Sequence, residues 1–132
     1  MSTLIIAHSH FRWLVILVAA VAIVKFAIGW YRGDTFKSMD RGLAAGFSGT
    51  VDLQATLGLI VFLWDGFTGA GFPMYRIEHA TTMLIAAVVA HLHVLWKNSE
   101  DKVRFRNSLF IVVDVLVLVF IGIARLPNGL TR

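Results

Sequence analysis

Five histidines mark where this chain can do chemistry: His8 and His10 open its first apolar stretch, His79 opens the third, and His91 and His93 close it. An imidazole in so apolar a setting is costly unless it faces a bundle interior and has a partner, so each is a candidate functional group. Paired imidazoles hold a haem iron, an imidazole beside a carboxylate handles protons, and imidazole with thioether suits Cu(I). Groups available to assist are the carboxylates Asp52, Glu78 and Asp114, the amide of Gln54, and the cations Arg12 and Arg125.

At 100° per residue, His79, Met83, Ala86, Ala90 and His93 fall on one helical stripe, with alanines where a flat ring would lie. His8 is expected level with His79, and Arg12 one turn deeper on nearly the same face. A b-type haem needs axial imidazoles, a slot of small residues and cations for its propionates. We therefore expect His8 and His79 to pair on one haem b per chain, with Met83 and Ala86 in the slot and Arg12 or Arg125 on the propionates. The plainer alternative is that these histidines snorkel and hydrogen-bond to headgroups or to Glu78. A second layer is expected at the other end of the bundle, holding Lys25, Asp52, His91, His93 and Asp114. There His91 or His93 with Asp52 or Asp114 would form a proton or hydrogen-bond network. Equally open is a structural arrangement in which Asp114 neutralises Lys25 and Asp52 bonds a histidine.

Thirteen residues separate His79 from His93, an interval that suits two stacked haems on one helix, about 21 Å apart at 1.5 Å per residue. Helix 1 lacks the matching inner ligand: fourteen residues after His8 stands Ala22, and fourteen after His10 stands Val24. Three readings remain: a single haem, an inner ligand from another chain such as the second copy of a homodimer, or another use for His91 and His93.

The elements that must position these groups follow from composition. Hydrophobic residues make up 58% of 132, charged residues 15%, and mean hydropathy is +0.76, far from an ordinary soluble domain. Four apolar stretches, about 5–31, 43–64, 76–96 and 107–123, each approach the ~20 residues needed to cross a bilayer core. The predicted fold is an all-α integral membrane protein, one four-helix up-down-up-down bundle spanning 1–132 with no repeat or second domain. The first stretch is too long and histidine-rich for a cleaved signal and is kept as helix 1. Breaks fall at Gly33-Asp34, from Asp65 to Pro73, at Asn98 to Lys102, and at Pro127-Asn128-Gly129.

Arg32, Lys37, Arg41, Lys97, Lys102, Arg104 and Arg106 lie in the first and third connections, outnumbering Arg12, Arg76, Arg125 and Arg132 on the other side. The positive-inside rule then puts both termini outside the cytoplasm. The net charge of +4 is the basic rim of a membrane protein and not a nucleic-acid surface. With no cysteine, disulfides, iron–sulfur clusters and covalent c-type haem are excluded. Gly42, Ala45, Gly46 and Gly49 form a small-residue face on helix 2 that would let helices approach closely. Trp13, Trp30, Trp64 and Trp96 lie near the expected membrane boundaries as belt anchors.

The strings His8-Ser9 with Arg12-Trp13, Asp52-Leu53-Gln54 with Leu57-Gly58-Leu59, Glu78-His79 with Met83-Leu84, and His91 twelve after His79 carry a resemblance. Over nearly its whole length the chain resembles a group of small four-helix prokaryotic membrane proteins often labelled cytochrome b. The resemblance implies a prokaryotic cell membrane and functional positions at His8, Arg12, Asp52, Gln54, Glu78, His79 and His91, with His10 and His93 as extras.

Three functions follow as expectations. The first is a haem b electron-transfer protein or subunit, more an electron carrier than an independent enzyme, working between a quinone and a redox partner. The second is a small accessory subunit of a larger respiratory or photosynthetic complex, where histidines would ligate chlorophyll or nothing. The third is copper or proton handling built on His8-Ser9-His10 and His91-Leu92-His93, with Met39, Met74 or Met83 as thioether donors. No nucleophile with a base, phosphate loop or zinc-protease motif is present, which argues against hydrolytic and phosphoryl chemistry.

Overall fold

Four long helices arise because each apolar stretch must satisfy its own backbone hydrogen bonds, and their polar flanks continue the same ladders. The computed structural model describes residues 2–124 and residue 126. These residues form α1 (Ser2–Arg32), α2 (Ser38–Asp65), α3 (Met74–Ala90) and α4 (Asp101–Ala124). A wide π-type turn, Gly66–Ala70, extends α2, and a tight 3₁₀ turn, Leu92–Trp96, follows α3. All four helical segments are long and apolar enough to cross a membrane, and no strand occurs among the described residues.

Each helix begins before or ends after its apolar stretch. α2 starts at Ser38 and not near residue 43, because Asp40 accepts the backbone N–H of Lys37 at 3.0 Å and so stabilises the first turn. α4 begins at Asp101, an acidic first-turn residue, and not at 107. Gly33 ends α1 with φ of 69°, as its place in the sequence foretold. α3 is shorter than expected: its ladder stops at Ala90, and His91 N–H turns to the Val88 carbonyl at 3.1 Å. The stripe from His79 therefore runs only to Ala90.

Neighbouring helices are antiparallel, as side-chain pairs record at both ends. Lys25 meets Asp40 and His8 meets Gly58 between α1 and α2, while His79 meets Gly122 between α3 and α4. The core follows α4, the most enclosed helix, with Val112 and Val115 against Ala19, Ala22 and Phe26 of α1 and Ala86 and Ala90 of α3. At one end, Phe26, Phe36 and Phe105 interlock with ring centres 4.9 to 6.4 Å apart. Gly29 admits Phe105, whose ring a Cβ there would overlap.

Lys25 pairs with Asp40 at 2.8 Å, and Asp40 is buried. The open alternative in which Asp114 neutralises Lys25 is thus replaced, because Asp114 faces outward from α4. The glycine face of α2 also points out: a Cβ at Gly42, Gly46 or Gly49 would meet open space, so these glycines bring no helix of this chain closer. Of the tryptophans, Trp13 and Trp64 are exposed, whereas Trp30 and Trp96 pack against the core.

Candidate functional site

The end of the bundle that holds the start of α1 carries the most polar interior. His8 of α1 and His79 of α3 face each other across the bundle diagonal, ring centres 6.3 Å apart and planes at 84°. Glycine makes this meeting possible. A Cβ at Gly58 of α2 would stand 2.8 Å from His8 Cε1, and one at Gly122 of α4 would overlap the end of Met83 and sit 3.5 Å from His79 Nδ1. Gly58 belongs to the Leu57-Gly58-Leu59 string; Gly122 carries no signal in the sequence, since only the fold puts it under His79.

Backbone contacts then hold each histidine. His79 Nδ1 lies 2.8 Å from the Gly122 carbonyl, which makes Nδ1–H the donor. Gln54 of α2 donates from Nε2 to the His8 carbonyl at 2.8 Å, tying α1 to α2 where His8 projects. A metal-binding histidine is oriented in this manner, by a bond from its other ring nitrogen to a backbone carbonyl.

A cavity of about 110 Å³ adjoins the pair, walled by Arg12, Gln54, His79, Met83, Ala86 and Val119 among others. Arg12 is only 9% exposed, and its guanidinium stacks near the Trp13 ring, 5.3 Å from its centre. Glu78 is half-buried one residue before His79. Arg125, the other expected cation, lies outside the described residues. Arg76 also reaches the cavity wall, but its guanidinium donates to the carbonyls of Gly71 at 2.6 Å and Phe62 at 3.2 Å. It thereby closes the loose end of α2, and its cation also lies over the Phe62 ring at 5.4 Å.

Two imidazoles with ring centres 6.3 Å apart are a donor pair that could hold a haem iron. The cavity itself is smaller than the ~300–1,000 Å³ of typical ligand pockets, and Met83 is the flexible side chain packed beside His79 and Gly122.

The expected second layer divides. Asp52 holds His91 Nε2 with both oxygens, at 2.7 and 2.9 Å, on a half-exposed surface between α2 and α3. His93 turns back, Nδ1 to the Ala90 carbonyl at 3.1 Å, and caps α3 in place of sharing the face of His79. Lys25 and Asp114 belong to neither group. His10 is exposed while His8 lines the cavity, so the His8-Ser9-His10 string points two ways. Met39 and Met74 are exposed, away from the histidine pair, and no group of three or more histidine and carboxylate side chains placed to hold a metal ion occurs among the described residues.

No known protein family, no curated protein and no solved structure matches the chain. The resemblance to the cytochrome b group therefore rests on the quoted residues alone.

Proposed function

We propose that the chain is an up-down-up-down transmembrane bundle that holds one b-type haem between His8 and His79 and carries electrons between a quinone and a redox partner. The observation that supports this best is the His8–His79 spacing of 6.3 Å together with the bond that orients the His79 ring through Nδ1. Large apolar side chains exposed on all four helices, Leu17, Leu63, Val88 and Phe110 among them, support the bilayer as surroundings. The basic connections favour both termini on the outer side, and the resemblance favours a prokaryotic cell membrane.

Bound there, haem b supplies a reversible one-electron Fe(III)/Fe(II) couple. The residues of the chain do the rest. His8 and His79 donate nitrogen from helices that are themselves pinned by Gln54 and the Gly122 carbonyl. Arg12 places a cation in the cavity wall for the propionates, and Ala86 with Val119 keeps that wall apolar. Met83 must swing aside to widen the cavity, a movement its three rotatable bonds allow.

The test is a reduced-minus-oxidised visible spectrum of the purified protein with haem stoichiometry, repeated on His8→Ala and His79→Ala. A low-spin b-type signal at one haem per chain, lost in both variants, is expected. Folded wild-type protein without haem after reconstitution would overturn the reading.

The Asp52–His91 pair favours a second, compatible role in proton handling. If the pair takes a proton when an electron arrives, the midpoint potential falls with pH, and Asp52→Asn flattens that slope. A slope unchanged by the substitution removes this role.

A further inference from the structure

Asp114 sits at the centre of the most apolar helix. It is the only charged residue between Arg106 and Ala124, thirteen residues or about 20 Å from Asp101 and ten residues or about 15 Å from Ala124. Its side chain is exposed, and among the described residues it makes no hydrogen bond or ion pair. Around it Phe110, Val113, Val117 and Ile121 are also exposed, forming an apolar strip along α4. A carboxylate so far from either end of the helix is too short to snorkel to water, and a charge at the centre of a bilayer is expensive unless another group meets it.

We infer that the Asp114 face of α4 docks against a transmembrane helix of another subunit, one that presents a cation at mid-bilayer depth. The inference rests on the membrane-spanning part of the reading above and not on haem. Charge complementarity selects this occupant over a second copy of the chain. Arg12 is enclosed in the bundle, Lys25 is bound to Asp40, and Arg76 is spent on carbonyls, so no free lysine or arginine of this chain stands at that depth among the described residues. His10 is exposed but lies two residues from His8 at the Gly122 end, and Gly122 is eight residues or about 12 Å along α4 from Asp114. A two-fold pair through this face would set Asp114 against Asp114, with no cation between them.

The chain has no cysteine, so Val117→Cys, one turn from Asp114 and at a position that is 51% exposed, gives a single cross-linking site. The full-length variant is reconstituted in phosphatidylcholine vesicles with a synthetic leucine-rich transmembrane peptide carrying one central lysine and one cysteine a turn away. Disulfide yield is compared with that of the same peptide having leucine for lysine. The lysine peptide is expected to give roughly tenfold more cross-link, the ratio equivalent to about 1.4 kcal/mol. Adding Asp114→Leu should abolish the difference, and Asp114→Lys should transfer the preference to a glutamate-bearing peptide. Equal yields, a preference that survives Asp114→Leu, or predominant cross-linking of the protein to itself would overturn the inference. Alkaline carbonate extraction of the same vesicles separates the two readings. Equal yields in carbonate-resistant protein overturn the docking face alone, whereas extractable protein overturns both.

Discussion

His79 and Gly122 meet through one hydrogen bond of 2.8 Å, and a methyl group on that glycine would strike the end of Met83 while standing 3.5 Å from the His79 ring. At Gly58 a methyl group would press on the imidazole itself, 2.8 Å from His8 Cε1. Gly58→Ala is therefore expected to cost about 1–3 kcal/mol as overpacking and to displace the His8 imidazole, and Gly122→Ala to push Met83 into the cavity. Helix content by circular dichroism should stay near wild type while the low-spin haem signal falls. An unchanged spectrum in both variants would show that these glycines do not set the histidine geometry.

Met83 packs beside His79, its end against Gly122 of α4, at the cavity wall. Met83→Ala should enlarge the cavity and speed haem uptake by the apoprotein, with some loss of stability, about 2–5 kcal/mol if the space stays empty. Met83→Phe should slow or block uptake. Stopped-flow absorbance on apoprotein mixed with hemin reads both, and equal rates in the two variants would remove Met83 as the moving part.

Asp40 is the buried member of a pair with Lys25, which is itself about one-third exposed. Removing the carboxylate leaves an amine without its counter-charge and uncaps α2, so Asp40→Ala is expected to destabilise by about 3–5 kcal/mol. Lys25→Met should cost less when Asp40 is made neutral as well, because Asp40→Asn then needs no cation. Denaturation in mixed micelles measures both, and additive single and double effects would show that the pair is not coupled.

At Asp52 and His91 both side chains are half-exposed. Asp52→Asn should therefore change stability by less than about 1 kcal/mol in the same denaturation assay. A loss well above that would assign the pair a structural duty.

Helices were legible because each carries a long apolar run, yet apolarity marks the lipid-like part of a helix and not the whole hydrogen-bonded ladder. Ser38–Gly42 and Asp101–Arg106 are helical although polar, which is why α2 and α4 start earlier than the apolar runs. The meeting of His8 and His79 was legible from chain direction alone: alternate helices run the same way, so their beginnings share a level. The partner of Lys25 was missed because Asp40 was taken for part of a connection, though an acid in the first turn of a helix was a usable signal. Asp114 was assigned inward on the general cost of charge in lipid, a rule that holds for a finished assembly and need not hold for one of its chains. Nothing in residue spacing announces a side chain that bonds a distant backbone carbonyl, as Gln54 does to His8 and Arg76 does to Phe62.

The Lys25–Asp40 contact also bears on biogenesis. Lys25 sits within α1 and Asp40 at the start of α2, and at 2.8 Å they form a unit without net charge. Translocated singly, α1 would carry an uncompensated ammonium group into the membrane; delivered as a hairpin with α2, it carries a dipole. In a chain that enters a bilayer, insertion of the first two helices as one piece would thus be energetically preferred over insertion one at a time.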